Sequence, residues 1–225
     1  MRPVPTWALV PSGCAPLVLV AGWTVAALPE GPAYDPVTQT ISVLAAYGAA
    51  GFWVMTGALA ALGVCHLLTA WALRPAARAG RLALGGGGVA ALAVAVVPVP
   101  GSGGSLRHGS LAAAGFALLA LWPLLAADRR GTAVPWGLRP GPALLATALM
   151  GAGAVWFLVE ARQLGGAIGV AERVVTFLQS VWPFVVVTSC LRHQDRPRGR
   201  RGRPRDHCDG PAAGPSGAGS TSPHF

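Results

Sequence analysis

Charged side chains are scarce in this sequence, and lysine is absent altogether. Only 11% of the 225 residues are charged and 53% are hydrophobic, whereas a soluble domain usually carries about 25% charged residues. Because a soluble fold needs a solvated polar surface, this shortage excludes an ordinary soluble globular domain. The few charges are also clustered: seven of the 17 arginines lie between Arg192 and Arg205. The chain carries a net charge of +9, and its largest group of arginines lies at the C-terminal end.

Cysteine is also scarce, and the patterns of metal and catalytic sites are missing. The four cysteines, Cys14, Cys65, Cys190 and Cys208, lie outside the candidate external loops, so no disulfide framework is indicated. No paired-histidine metal motif and no nucleophile elbow is present. The run Gly85–Gly88 lacks the strand and the lysine of a phosphate loop, and we interpret it as a helix-packing surface. The sequence therefore predicts no metal, no cofactor and no catalytic residue.

Long apolar runs take the place of the missing charges. A helix needs about 20 apolar residues to cross hydrocarbon about 30 Å thick. Six segments meet this requirement: 7–28, 47–73, 82–99, 108–127, 142–160 and 173–191. Pro- and Gly-rich breaks separate them, and the short loops favour antiparallel neighbours. The sequence predicts an all-α polytopic membrane protein, with a bundle of about six helices over residues 1–192.

Arginine placement predicts the orientation of these helices. Fourteen of the 17 arginines lie at the N-terminus, in alternate loops or in the tail, and only Arg107, Arg162 and Arg173 lie in the other loops. By the positive-inside rule both termini are expected in the cytoplasm, with the protein in the cell membrane. One alternative stays open, because Val25–Ala27 resembles a signal-peptidase site. Cleavage there would leave five helices with the same orientation.

The tail, residues 193–225, is rich in Arg, Pro, Gly and Ser and has almost no large apolar side chains. It cannot bury enough surface to fold, so we expect a disordered cytoplasmic segment that fixes the topology. An alternative role is contact with anionic lipid headgroups, at about 1 kcal/mol per arginine near the surface. The residues expected to make that contact are Arg196, Arg198, Arg200, Arg201 and Arg203. Nucleic acid is not an expected partner, because no aromatic residues alternate with the charges. The lipid bilayer is the expected environment, and the oligomeric state cannot be read.

Three short motifs resemble those of a known family. The segment Gln39–Ser42, with Leu44 and Gly48, is similar to the Gln-Thr-Ile-Ser motif of the bacterial membrane family known as domain of unknown function 998. His108 with Trp122-Pro123, and Gly169–Arg173 with Trp182, are similar in the same order along the chain. The resemblance covers roughly residues 7–192. It implies a six-helix membrane protein and no established activity.

Polar residues on the expected external side form a candidate site. Glu172, Thr176 and Gln179 are spaced to share one helical face, which should point to the bundle interior or a water-filled cavity. We expect Asp35, His108, Glu172 and Arg173 to converge there. The full candidate set is Asp35, Gln39, Ser42, His108, Glu160, Glu172, Arg173 and Gln179. Three interpretations of this set remain open: a group of interfacial caps and salt bridges, a ligand site, or a catalytic site.

A second histidine lies deeper in the predicted bundle. His66 is about 10 Å from the inner end of the second helix by helical rise. We expect a neutral imidazole hydrogen-bonded to a neighbouring helix, with a proton relay as the alternative.

For the whole chain three functions remain: binding or moving a small molecule or lipid in an outward-facing cavity, intramembrane catalysis by the His/acid cluster, and a structural or regulatory role through partners.

Overall fold

The computed structural model describes residues 3–100, 105–128, 134–163 and 166–195. Within these residues the chain is helical and contains no β-strand, as expected for an all-α polytopic bundle. Short 3₁₀ turns at Thr6–Ala8, Leu28–Ala33 and Trp136–Leu138 connect the longer elements. The α-helices are α1 (Leu9–Ala27), α2 (Ile41–Leu44), α3 (Phe52–Ala72), α4 (Arg78–Val96), α5 (Leu106–Ala126), α6 (Pro140–Gln163) and α7 (Ile168–Asp195).

All of these helices except α2 are long and apolar enough to cross a membrane. Their limits differ from the predicted spans mainly where backbone turns intervene. The second spanning helix begins at Phe52 rather than at residue 47, because Gly48 has a φ of 87° and the chain turns there. The last helix is longer than predicted at both ends, and its final residues extend beyond the boundary at 192.

The spanning helices form a closed ring in chain order. Each one packs against its neighbours in sequence, and contacts between α1 and α7 close the circle. Antiparallel packing of this kind follows from the short connections. Residues of the candidate cleavage site lie in α1, where Ala26 is fully buried. Cleavage there would remove a helix that contacts both α3 and α7.

A close helix crossing joins α3 and α4 through glycine. A Cβ atom on Gly63 would lie 2.7 Å from the Gly88 carbonyl oxygen, and one on Gly88 would lie 2.8 Å from the Gly63 carbonyl oxygen. Only glycine allows two helix backbones to approach so closely. The interpretation of the Gly85–Gly88 run as a helix-packing surface is therefore confirmed.

The two ends of the bundle differ in packing. A cluster of buried apolar side chains fills the interior at the end that carries Arg74, Arg78 and Arg81, which we call the Arg-rich end. Its largest members are Leu73, Leu84, Leu119, Trp122 and Leu138. The opposite, Arg-poor end carries the connection from α1 to α3, with residues 34–44, and a smaller cluster of buried side chains packs there around Leu19, Leu44 and Met55.

Some predictions fall outside the described residues. Among them are Arg2, Arg129 and Arg130 of the orientation argument. The proposed lipid-contact residues Arg196, Arg198, Arg200, Arg201 and Arg203, and the disorder of the tail beyond Asp195, also lie outside them. Five of the arginines on the side predicted to face the cytoplasm lie within the described residues, and they are Arg74, Arg78, Arg81, Arg139 and Arg192.

Candidate functional site

A cavity of about 90 Å³ lies inside the ring of helices and opens toward the Arg-poor end. Its walls come from α1, α2, α3, α4, α5 and α7, whereas α6 contributes no residue. Most of the lining is apolar. The polar lining residues are Ser42, His66, Glu172, Thr176 and Gln179. A cavity of this size is large enough for several water molecules or for a slender apolar chain.

The carboxyl group of Glu172 is buried at the mouth of the cavity, although the residue lies in the first turns of a membrane-spanning helix. One carboxyl oxygen accepts a hydrogen bond from the backbone N–H of Ile41. The other lies 3.4 Å from the hydroxyl oxygen of Ser42. These two contacts hold the short helix α2 against α7 and place both residues at the top of the cavity.

His108 continues this hydrogen-bond chain on the other side of Ser42. Its Nε2 lies 3.2 Å from the Ser42 hydroxyl oxygen, and its Nδ1 lies 2.8 Å from the carbonyl oxygen of Val97. The Ser105 hydroxyl oxygen accepts from the His108 backbone N–H and caps the start of α5. Ser42 therefore bridges an imidazole and a carboxyl group that lie on different helices.

The direction of each hydrogen bond follows from the groups involved. A carbonyl oxygen only accepts, so Nδ1 of His108 carries a proton and donates to Val97. With a neutral imidazole, Ser42 donates to Nε2 and a protonated Glu172 donates to Ser42. With an imidazolium, Nε2 donates to Ser42, and Ser42 donates to an ionised Glu172. In both arrangements every donor and acceptor of the three side chains has a partner. The two differ by one proton, which lies on Glu172 in the first and on His108 in the second, so the cluster has no net charge in either.

The start of α7 is docked onto the loop that precedes α2. The backbone N–H groups of Gly169 and Val170 both point at the Val37 carbonyl oxygen, at 2.9 Å and 3.4 Å. The first N–H groups of a helix have no partner within the helix, so the loop supplies one. A side chain at position 169 would overlap the carbonyl oxygens of Pro36 and Gln39, so this docking requires glycine.

Arg173 fastens the same loop from the side. Its guanidinium donates to the carbonyl oxygens of Pro36 at 2.9 Å and Gln39 at 3.1 Å, and also to the phenolic oxygen of Tyr34. It lies 5.7 Å from the ring centroid of Trp23. Arg173 therefore holds the loop through several acceptors, and it does not line the cavity.

Asp35 and Gln39 stabilise the loop internally. The Asp35 carboxylate accepts from the Val37 backbone N–H at 2.9 Å and from the Thr38 hydroxyl at 2.8 Å, while the Gln39 side chain accepts from the Asp35 backbone N–H. The hydrogen bond from Val37, followed by that from Thr38, lowers the pKa of Asp35 below its ordinary value. Asp35 is exposed and has no hydrogen bond to His108 or Glu172 among the contacts of the described residues.

Glu160 and Gln179 occupy two further positions. Glu160 accepts from the Trp156 indole N–H at 3.1 Å and from the Ala167 backbone N–H at 2.9 Å, and so caps the link between α6 and α7. Gln179 is buried, lines the cavity and donates to the Phe116 carbonyl oxygen at 3.0 Å. The face of Glu172, Thr176 and Gln179 thus lies along the cavity.

Sequence reasoning did not assign several of the groups that build this site. Tyr34 was not singled out as a partner of Arg173. Burial raises the pKa of its phenol, against the opposing effect of Arg173, so the hydroxyl stays protonated and can donate to the loop carbonyls. The Ile41 N–H and the Val97 carbonyl are backbone groups, and residue type gives no signal for them.

His66 differs from expectation. The predicted hydrogen bond to a neighbouring helix is wrong, because both ring nitrogens are buried without a hydrogen-bond partner among the described residues. The reason is the composition of the facing helix, where Gly87, Gly88 and Ala91 offer no polar side chain. The imidazole instead lines the cavity. The sequence feature that pointed to this position was a single histidine in the middle of a spanning helix.

Across the described residues, no group of three or more His, Cys, Asp or Glu side chains is placed to hold a metal ion. A family model described as "Protein of unknown function (DUF998)" matches residues 14–189, which is more than half of the chain. The match spans α1 to α7 and includes every residue of the Ser42–His108–Glu172 cluster. Comparison with curated proteins and with solved structures gives no match.

Proposed function

The chain belongs to the DUF998 family of multi-pass membrane proteins, whose description names no activity, and we propose that it binds a small amphipathic molecule in the cavity beneath α2. The polar end of the ligand lies at Ser42 and Glu172, where His108 holds the Ser42 hydroxyl from behind, and its apolar part lies between the helices. The observation that carries this proposal is the buried carboxyl group of Glu172 on the wall of a largely apolar cavity. Ligand sites are typically apolar hollows with a few placed polar groups.

The shape of the cavity favours binding over passage through the protein. The polar lining ends at His66 and Gln179, and beyond them the apolar cluster of the Arg-rich end occupies the interior. Within the described residues, no chain of polar side chains crosses that cluster. A site open at one end and packed at the other suits a molecule that enters from the Arg-poor side and leaves by the same route.

Replacing Glu172 with glutamine tests this proposal. In lipid nanodiscs, we expect the full-length protein to bind decanol and the Glu172→Gln variant to bind it about tenfold more weakly, because the hydrogen-bond chain loses its carboxyl group. The measurement is equilibrium binding of radiolabelled decanol by scintillation proximity. Glu160→Gln is the matched control, since Glu160 lies at the same end of the bundle but outside the cavity, and its binding should equal that of the wild type. Absence of binding by the wild type would refute the proposal.

A second candidate function rests on the contact between Ser42 and His108. A serine hydroxyl 3.2 Å from an imidazole whose other nitrogen is held by a carbonyl has the arrangement of a nucleophile with its base. We place binding first, because the neighbouring Ile41 N–H is already bonded to Glu172 and so cannot stabilise an oxyanion. Labelling of Ser42 by a fluorophosphonate, abolished in the His108→Ala variant, would favour the enzyme instead.

We also propose that both termini lie in the cytoplasm. The described arginines support this: Arg74, Arg78 and Arg81 mark one end of the bundle, and Arg81 donates to the Ala70 and Trp71 carbonyl oxygens at the end of α3. A green fluorescent protein fused after Phe225 should fluoresce in a bacterial host, whereas alkaline phosphatase fused there should be inactive. The same pair fused after Thr38 in truncated chains should give the reverse result. Phosphatase activity at the C-terminus would invert the proposed orientation.

A further inference from the structure

His66 is a buried polar group that the proposed mouth of the site does not use. The residue is 1% exposed, and neither ring nitrogen has a hydrogen-bond partner among the described residues. A neutral imidazole carries one donor and one acceptor. Leaving such a group unpaired in apolar surroundings costs about 1–3 kcal/mol, and native proteins rarely tolerate it. The cavity that His66 lines is where a partner can be accommodated.

His66 lies far from the mouth cluster. The Val97 carbonyl contacts His108 at the mouth, whereas Gly88 lies against His66, since a Cβ atom on Gly88 would be 3.2 Å from the His66 Cβ atom. Val97, the residue after the end of α4, is nine positions beyond Gly88, which corresponds to about 14 Å of helical rise. The cavity wall thus runs from the mouth cluster to His66, with Thr176 and Gln179 on α7 along one side and apolar residues such as Leu62 and Ala90 along the other.

The charges around the cavity select against an anionic ligand. Among the residues that the structure describes, Glu172 is the one acidic residue in the lining, and no arginine lines the cavity. Arg173, its neighbour in sequence, is bonded to loop carbonyls and to Tyr34. A phosphate or carboxylate drawn into this space would lose its hydration without gaining a cation. The polar groups of a ligand that match this lining are therefore uncharged hydroxyl or carbonyl groups.

We infer that His66 forms an inner subsite that hydrogen-bonds to a second polar group, so that the ligand is an uncharged, slender chain with a hydroxyl or carbonyl at each end. This inference rests on the proposed function, since the outer end of the same molecule lies at Ser42 and Glu172. The inner polar group of the ligand gives the His66 imidazole a hydrogen-bond partner. The outer polar group binds to the mouth cluster.

The test compares decanediol with decanol, two probes of equal chain length that differ in the second hydroxyl. Wild-type protein in nanodiscs should bind the diol about tenfold more tightly, because one further hydrogen bond forms in a buried site. In the His66→Leu variant the ratio of the two affinities should fall to about one. His66→Gln keeps a donor and an acceptor, so it should retain a ratio above one.

Thr69→Val is the matched control, since Thr69 is buried on the same helix, bonds to the Cys65 carbonyl and does not line the cavity. It should keep the wild-type ratio. If the wild type bound decanediol and decanol with nearly equal affinity, the inference would be overturned, and water would then be the partner of His66. The proposed function would still stand in that case if decanol binding depended on Glu172. Tighter binding of decyl phosphate than of either alcohol would overturn the ligand class. Binding of no probe by the wild type would instead refute the proposed function.

Discussion

Replacing Gly169 with alanine should destabilise the protein by at least about 2 kcal/mol, because the new methyl group overlaps the Pro36 and Gln39 carbonyl oxygens. The loop must then move away from α7, and the hydrogen bonds from Gly169 and Val170 to Val37 are lost. We expect the unfolding temperature in nanodiscs to fall by several degrees. Decanol binding should weaken as well, since α2 follows this loop directly.

Gly151→Ala is the control for this change. Gly151 is also in a spanning helix, α6, but within the described residues no atom outside its own stretch of helix lies within 4 Å of the position that its Cβ would take. Alanine there should be neutral or slightly stabilising, because it favours the helix by up to about 1 kcal/mol. Equal losses of stability in the two variants would show that the close approach at Gly169 has no special role.

Arg173→Ala should release the loop without creating a clash. The change removes the donors to Pro36, Gln39 and Tyr34 together with the ring contact to Trp23. Hydrogen bonds from a charged donor contribute about 1.5–3 kcal/mol, so we expect a loss of at least that size. Hydrogen–deuterium exchange of residues 34–44 should become faster, because the loop opens more often.

Two further variants complete this experiment. The exchange rates of residues 34–44 in Arg173→Lys should lie between those of Arg173→Ala and those of the wild type. One ammonium group cannot reach all the acceptors that a forked guanidinium group spans. Arg162→Ala is the control, since Arg162 is exposed at the same end of the bundle and its loss should leave exchange in the loop unchanged. Wild-type exchange rates in Arg173→Ala would mean that the contacts of Gly169, Val170 and Glu172 hold residues 34–44 without Arg173.

The ring of helices was largely predictable from the sequence, because hydrocarbon thickness and glycine- or proline-rich breaks set the number of spans. Helical periodicity also placed Glu172, Thr176 and Gln179 on one face, and this face lines the cavity. The start of α3 was not predictable, since residues 47–51 are apolar enough to continue a helix and only the left-handed conformation of Gly48 ends that possibility.

The details of the candidate site depend on contacts between residues distant in sequence. The external polar residues predicted from the sequence separate into three groups and one single residue. The groups are His108 and Glu172 joined by Ser42, Arg173 with Asp35 and Gln39 in the loop, and Glu160 at the α6–α7 link, while Gln179 lies deeper in the cavity wall. Helical periodicity describes each helix alone and does not give its rotation relative to the next helix. Backbone partners such as Val97 carry no signal in residue type.

The loop docked on α7 also bears on how fast a ligand can leave. Ile41 and Ser42 contribute to the cavity wall and are tethered to the loop that Gly169 and Arg173 hold. Because this segment forms part of the mouth of the open cavity, its lifting widens the exit, so the residence time of a bound molecule depends on loop opening in addition to its own contacts. Variants that loosen the loop should therefore speed both entry and exit, and their effect on rates should exceed their effect on affinity.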